Sequence, residues 1–230
     1  MAEPTPTTDS ASHKLEHTPS GTPYIALTTR AQVPIYLTKL REGDEERMQQ
    51  TVAIDAIGDM LIGPPKPYTL DDAKWWLNQQ CNHVYNLPPA VTGQADLPLT
   101  CLRASDPETG PFIGSVGLAP HDGPMTSVVR ERKERVEGEG RDVDLGYYLH
   151  PDWQGKGIMK PAVRAIVEWG RKEESVRTVF VRVLQTNVVS MRIVTSLPQF
   201  VRCNGEDDFV QYPENKGGGK RRMYIWVWKL

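Results

Sequence analysis

Asp144-Leu-Gly-Tyr-Tyr-Leu-His-Pro-Asp-Trp-Gln-Gly-Lys-Gly-Ile-Met159 reads as a strand that runs straight into a glycine loop and then into a helix. Leu145, Tyr147 and Leu149 alternate with Gly146, Tyr148 and His150, the period of an extended chain. Pro151 ends the ladder because it has no N–H to give. Gly155 and Gly157 allow backbone dihedrals denied to other residues and a close approach to a ligand. From Ile158 onward the pattern is helical, so unpaired N–H groups and a positive dipole end face whatever sits over the loop. That arrangement suits an anion, a pyrophosphate in particular. Two nucleotide loops are excluded by spacing. A phosphate loop needs two glycines five positions apart followed by Lys and Ser or Thr, and a dinucleotide fingerprint needs three glycines in another rhythm. Neither stands here.

The flanks extend the pattern in a fixed order. Ile158, Ala162, Val163, Ile166, Trp169 and Gly170 recur on one helical face, with Pro161 in the tolerant first turn. Thr178 to Leu184 alternates as a buried strand, and Asn187 caps a short helix running to about Leu197. Within this order, Gln154-Gly-Lys-Gly157-Ile-Met159 resembles the Gln/Arg-x-x-Gly-x-Gly/Ala acyl-CoA signature of the GNAT N-acetyltransferase superfamily, with Met159 at the last small-residue position. Asn187-Val-Val-Ser190 resembles the Asn-x-x-Ser element that follows the fifth strand in many of these enzymes. The Leu-Gly-Tyr start is most similar to the branch of ribosomal-protein N-terminal acetyltransferases. The resemblance implies an α/β (α+β) GNAT fold, with a mixed central sheet of about six to seven strands flanked by about four helices.

It also implies a chemistry: a primary amine attacks the thioester of acetyl-CoA directly, with no metal. In the family, the fourth and fifth strands splay apart and pantetheine lies between them like an added strand. Here those strands are Val143–His150 and Thr178–Leu184. The implied cosubstrate contacts are the backbone near Tyr148, Leu149 and His150, the loop from Gln154 through Gly155, Lys156, Gly157 and Ile158 to Met159, and the side chains of Asn187 and Ser190. Several have plainer readings. Gln154 braces the loop, Lys156 is a solvated loop lysine, Asn187 is an N-cap and nothing more. Catalytic candidates are Asp144 as general base, Tyr147 as its alternative and Ser190 as proton donor to the departing thiolate. Asp144 equally fits a charge at the start of a strand, and Tyr147 a core residue. A lysine ε-amine of pKa about 10.4 is about one part in 10³ neutral near physiological pH, whereas an α-amine at about 7.7–8.0 is about a tenth neutral. A site without a strong base therefore leans toward α-amines.

Composition narrows the rest. The chain has 230 residues, 39% of them hydrophobic, enough for one well-buried domain. A net charge of -2 gives no global field for nucleic acid or anionic lipid. Cys81, Cys101 and Cys203 lie far apart, as in a reducing compartment, and His13 and His17 have no partners at metal-ligand spacing. No stretch approaches the roughly 18 apolar residues of a membrane span, and no signal peptide or presequence is evident. A cytoplasmic protein is expected, with or without nuclear residence. Residues 1–23, rich in Thr, Ser and Pro, read as a disordered tail, and 24–230 as a single domain with insertions at 120–142 and 204–220. From Arg130 to Asp142 five basic and five acidic residues cancel, which favours a solvated ribbon. Ahead of the acyl-CoA half come a strand at Val33–Leu40, a helix from about Asp44 to Ile57, a second helix capped at Thr69 or Asp71, and strands at Leu97–Arg103 and Pro111–Leu118. Arg222 to Trp228 reads as the final strand.

Acetyl-CoA-dependent N-acetylation of a protein N-terminus or small amine is the leading expectation. A non-catalytic acyl-CoA-binding regulatory module is the alternative, given weight by Met159 and by Lys160-Pro161. A protein acting only through its tail and charged ribbon explains the insertions but not the ordered acyl-CoA elements.

Overall fold

Alternating apolar residues throughout the chain converge on one mixed sheet. The computed structural model describes residues 14–81, 99–120, 141–173, 176–203 and 209–229. Its strands are β1 (Leu15–His17), β2 (Pro23–Leu27), β3 (Ile35–Thr38), β4 (Cys101–Ala104), β5 (Phe112–Pro120), β6 (Arg141–Leu149), β7 (Val176–Leu184), β8 (Val201–Arg202), β9 (Phe209–Gln211) and β10 (Lys220–Lys229). They run in the order β1-β2-β3-β4-β5-β6-β7-β10-β8, with β9 beside β10. Every pairing is antiparallel except β6 with β7. A parallel pair needs a crossover, and α4 (Met159–Glu173) supplies it. The other helices are α1 (Glu45–Val52), α2 (Asp55–Gly58), α3 (Leu70–Cys81) and α5 (Val188–Thr195).

The strand and helix counts exceed the expected six to seven and four, because several elements are too short to carry a periodic signal. β1 lies inside the stretch read as tail: Leu15 pairs with Ile25 and packs against the core. The expected helix from Asp44 to Ile57 breaks at Ile54, which is extended (φ −67°, ψ 119°), giving α1 and α2. The bulk of the insertion at 120–142, with most of its charged ribbon, lies outside the described residues, as do residues 1–13 and 204–208.

Helices cover both faces. On one face Ile158, just before α4, and Ala162, Val163 and Ile166 within it are buried in one cluster with Ile25, Leu37, Ile113, Val143, Val179 and Val181 of the sheet. On the other, Met48 and Val52 of α1, Tyr68 just before α3 and Ala73 within it pack on Cys101, Phe112 and Tyr148. A smaller cluster joins Leu184, Val210, Tyr212 and Met223 to Met60 and Ile62.

Polar anchors fix the second face. Asp44 stands at the N-cap of α1 but makes no side-chain cap. Its carboxylate instead takes the Arg103 guanidinium, Nη1 to Oδ1 at 2.7 Å, with Arg103 only 1% exposed. Arg103 also donates to Thr38 Oγ1 at 3.1 Å, so the pair ties α1 to β3 and β4. α3 starts on a reciprocal cap: Thr69 Oγ1 accepts from Asp72 N at 3.2 Å, and Asp72 Oδ2 accepts from Thr69 N at 2.8 Å.

Candidate functional site

The parallel pairing of β6 with β7 ends early. It runs from Arg141↔Val176 to Asp144↔Phe180 and no further. Beyond that rung β6 follows β5, out to Leu149↔Gly114, while β7 follows β10, out to Leu184↔Met223. A notch opens between Leu145–Leu149 and Val181–Leu184. The side that faces it follows from hydrogen-bond alternation. His150 N donates to Ile113 O at 2.9 Å, so the main-chain groups of Tyr148 and Gly146 also go to β5. Those of Leu145, Tyr147 and Leu149 point into the notch. The sequence reading placed Tyr148 there. Its amide is spent on β5 and its ring lies on the opposite wall beside Phe112, 6.3 Å between centroids.

The glycine loop closes the C-terminal end of the notch. A one-turn 3-10 segment, Pro151–Trp153, follows β6, and His150 Nδ1 caps it by accepting from Asp152 N at 3.3 Å. Gln154 Nε2 donates to Leu149 O at 3.0 Å, bracing the loop against the strand. Gly155 (φ +74°) and Gly157 (φ +70°) are both left-handed, the conformation for which only glycine is unstrained. Lys156 lies with Nζ 4.5 Å from the Trp153 ring centroid, a cation–π contact. Ile158, just before α4, and Met159, its first residue, are 1% and 6% exposed and lie in the core. Met159 thus turns its bulk away from the loop and leaves its backbone N–H, which has no helical acceptor, at the loop. No acidic residue occupies the first turn of α4.

At the notch wall, Asn187 caps α5: its side-chain oxygen accepts from Ser190 N at 3.0 Å. Ser190 Oγ and Tyr147 Oη share a hydrogen bond of 2.6 Å, so Asn187, Ser190 and Tyr147 form one chain from β7's end to β6. Burial pushes the Tyr147 phenol up to about 12, against a smaller downward pull from Ser190. The phenol therefore keeps its proton at neutral pH. A departing thiolate whose thiol has the ordinary value of about 8.5 would not take that proton outright.

Asp144 sits on the last closed rung, on the other face of the sheet. Its Oδ2 lies 3.3 Å from Arg182 Nη1, so the carboxylate is committed to a guanidinium rather than presented alone. Gly146 follows, and among the described residues a Cβ placed there would meet nothing within 4 Å, which leaves an open floor between Asp144 and Tyr148. One boundary of this face is built by the C-terminal insertion. Lys216, buried, donates through Nζ to the carbonyls of Gly58 (3.1 Å) and Leu61. Tyr212 Oη donates to Asp59 O, and Asn215 Nδ2 to Lys66 O at 3.1 Å. Burial holds the Lys216 ammonium below the usual lysine value, partly offset by Asp59. Lys66 in turn bridges Asp55 (2.8 Å) and Asp59 (2.7 Å). Residues 209–219 thus form a strap over the α2 turn.

Of the expected site residues, the structure brings Tyr147, Leu149, Asn187 and Ser190 to the notch and Gln154 to Met159 to its end. Asp144 stands apart from them on the far face. Sequence reasoning missed Arg182, Lys216 and Arg30, whose N–H donates to Lys156 O at 3.0 Å. No local motif marks any of the three. Among the described residues no cluster of His, Cys, Asp and Glu could hold a metal ion, and no helix is long and apolar enough to cross a membrane.

Comparison with known proteins matches residues 35–197 to the acetyltransferase (GNAT) domain family. No curated protein matches in sequence. Among solved structures, RimJ of Mycobacterium smegmatis in complex with CoA-disulfide is similar over 90% of this chain and 86% of its own, at TM-score 0.61 and 12% identity. RimL, a ribosomal L7/L12 alpha-N-protein acetyltransferase, is similar over 94% of this chain and 100% of its own, at TM-score 0.59 and 12% identity. The microcin C7 self-immunity acetyltransferase MccE, in complex with acetyl-CoA and AMP, covers 87% of this chain with 94% of its own, at TM-score 0.57 and 15% identity. At these identities the likeness is one of fold.

Proposed function

The chain belongs to the GNAT acetyltransferase family, and from that premise we propose that it transfers the acetyl group of acetyl-CoA to a primary amine, an α-amine in preference to a lysine ε-amine. The observation that carries the proposal is the parting of β6 from β7 after Asp144↔Phe180, directly beside the glycine loop. Acetyl-CoA, when bound, supplies the activated thioester. The loop N–H groups from Gly155 to Met159 hold its diphosphate. The notch-facing amides of Tyr147 and Leu149 pair with pantetheine as a neighbouring strand would, and one of them donates to the carbonyl oxygen as negative charge gathers there. The amine nitrogen bonds to the carbonyl carbon, the carbon–sulfur bond breaks, and the amine gives up one proton while the sulfur gains one. One proton of the hydrogen-bonded Tyr147–Ser190 pair bridges the two hydroxyls, and the other donates toward the sulfur side.

The acceptor enters over Gly146, where the floor is open. Asp144, held by Arg182, orients an incoming ammonium rather than deprotonating it. An acceptor that is already partly neutral needs no strong base, which favours α-amines. The name of RimL supports the same class.

The test is release of free thiol from acetyl-CoA across an amine panel of short peptides with free N-termini, Nα-blocked lysine and small amines. Peptide α-amines are expected to turn over fastest. Coenzyme binding with no thiol release from any amine would replace this reading with the non-catalytic acyl-CoA-binding module.

A further inference from the structure

We propose that Arg30 is a phosphate clamp for coenzyme A, carried to the glycine loop by the connection between β2 and β3. The proposal rests on the reading of that loop as the acyl-CoA site. Arg30 precedes residues 35–197 and so lies outside the span that matches the family. β2 brings it there: Ile25 and Leu27 are buried in the core that α4 shares. The chain then leaves the sheet beside the start of α4.

Two contacts fix the arginine. Its N–H donates to Lys156 O at 3.0 Å, pinning the connection to the middle of the loop. Its side chain then runs over Gly157: a Cβ on that glycine would stand 2.9 Å from Arg30 Nε and 3.5 Å from its Cγ. Gly157 therefore answers two demands, a left-handed backbone and room for an arginine stem. The residue is exposed, and among the described residues no carboxylate pairs with its guanidinium.

A packed arginine stem with an uncommitted head, laid against a glycine loop at the start of a helix, suits an anion. Lys156 and Lys160 add like charge nearby, and the first turn of α4 contributes no acid to neutralise it. Like charges gathered in this way repel unless an anion lies between them. The planar fork of a guanidinium fits two phosphate oxygens at once, which an ammonium does not. Coenzyme A offers two such groups, the diphosphate and the ribose 3′-phosphate, and either one satisfies the chemistry.

Calorimetry on the full chain tests this with coenzyme A and with dephospho-coenzyme A, at about 20 mM and about 500 mM salt, where the screening lengths differ several-fold. Arg30→Gln keeps most of the stem and the main-chain bond to Lys156. It is expected to weaken coenzyme A about tenfold at low salt, with the deficit shrinking at high salt, and with the melting temperature unchanged. Arg30→Lys should recover part of the loss. A deficit that persists with dephospho-coenzyme A assigns the clamp to the diphosphate, and one that vanishes assigns it to the 3′-phosphate. Affinity within twofold of the parent chain, or a loss indifferent to salt, overturns the clamp while leaving the acyl-CoA site standing. Failure of the parent chain to bind coenzyme A at all overturns both.

Discussion

The two faces of the sheet are held by different means. Under α4 the contacts are apolar and continuous: Ile158, Val163 and Ile166 share one cluster with nearby Val143, Val179 and Val181 and with Ile25 and Leu37 of the early strands. On the opposite face the fixing contacts are polar and remote. Arg103 reaches Asp44 across 59 positions, Tyr212 reaches Asp59 across 153, and Lys216 reaches Gly58 across 158. The first face carries the glycine loop and the notch, where a fixed ligand needs a backbone that does not vary. The second carries the open floor over Gly146, whose shape depends on two anchored segments. One chain thus holds the proposed coenzyme side by packing and adds buried hydrogen bonds to the packing of the proposed acceptor side.

That contrast breaks first at Asp44. Asp44→Ala leaves the Arg103 guanidinium buried without its carboxylate, and removing one partner of such a pair costs about 3–5 kcal/mol. Denaturant unfolding should show a loss of that size. A loss below about 1 kcal/mol, the size of an exposed pair, would mean that the second face does not depend on its anchor. Lys216→Met is the next test. It abolishes a buried charge but strands the carbonyls of Gly58 and Leu61, for a net loss of about 2 kcal/mol. Coenzyme A affinity should stay within twofold of the parent chain while acceptor KM rises. Weakened coenzyme binding would show that the two faces are not independent.

The same contrast explains what the sequence disclosed. The strand, glycine loop and helix from Asp144 onward were legible because their signals are local: alternation, two glycines, then apolar residues at helical spacing. The parting of β6 and β7 came from resemblance, and the register places it after Asp144↔Phe180. Asp44 was read as a helix start, which it is, but its side chain serves Arg103 and not the helix. Nothing near Asp44 announces a partner so far along the chain. Nothing near Arg30 announces Lys156 or Gly157 either. β1 is three residues long, below the length at which alternation has meaning. Met159 departs from the small-residue pattern of the loop, yet its side chain is buried in the core; sequence gives a side chain's size without its direction.

Alkaline titration tests the notch wall more finely. Tyr147 is raised by burial to about 12, as are Tyr68 and the Cys101 thiol on the other face. A group whose folded value lies above its unfolded value contributes stability that is whole below the unfolded value. That stability fades as pH climbs toward the folded one. For Tyr147 the window runs from about 10 to about 12. Tyr147→Phe should therefore flatten the loss of stability over that window by about 1.4 kcal/mol at about pH 11, the value for one pH unit. Lys216 has the opposite sign, since a depressed lysine gains stability as pH rises toward its unfolded value. If Tyr147→Phe leaves the alkaline slope unchanged, the phenol is not buried at the notch.

The smallest expected effect separates a helix cap from a ligand contact. Asn187 Oδ1 already accepts from Ser190 N at 3.0 Å, which accounts for its oxygen and leaves Nδ2 as the donor for a pantetheine carbonyl. Asn187→Ala removes both and should cost about 1 kcal/mol of stability, the usual worth of an N-cap. Serine caps about as well as asparagine, yet it lacks the amide donor. Asn187→Ser is thus expected to restore stability to within about 0.5 kcal/mol, the scatter of a neutral substitution. Coenzyme A affinity should remain down several-fold. If Asn187→Ser recovers stability and affinity together, Asn187 is a cap alone, and the coenzyme side relies on main-chain groups at that wall as well as at the loop.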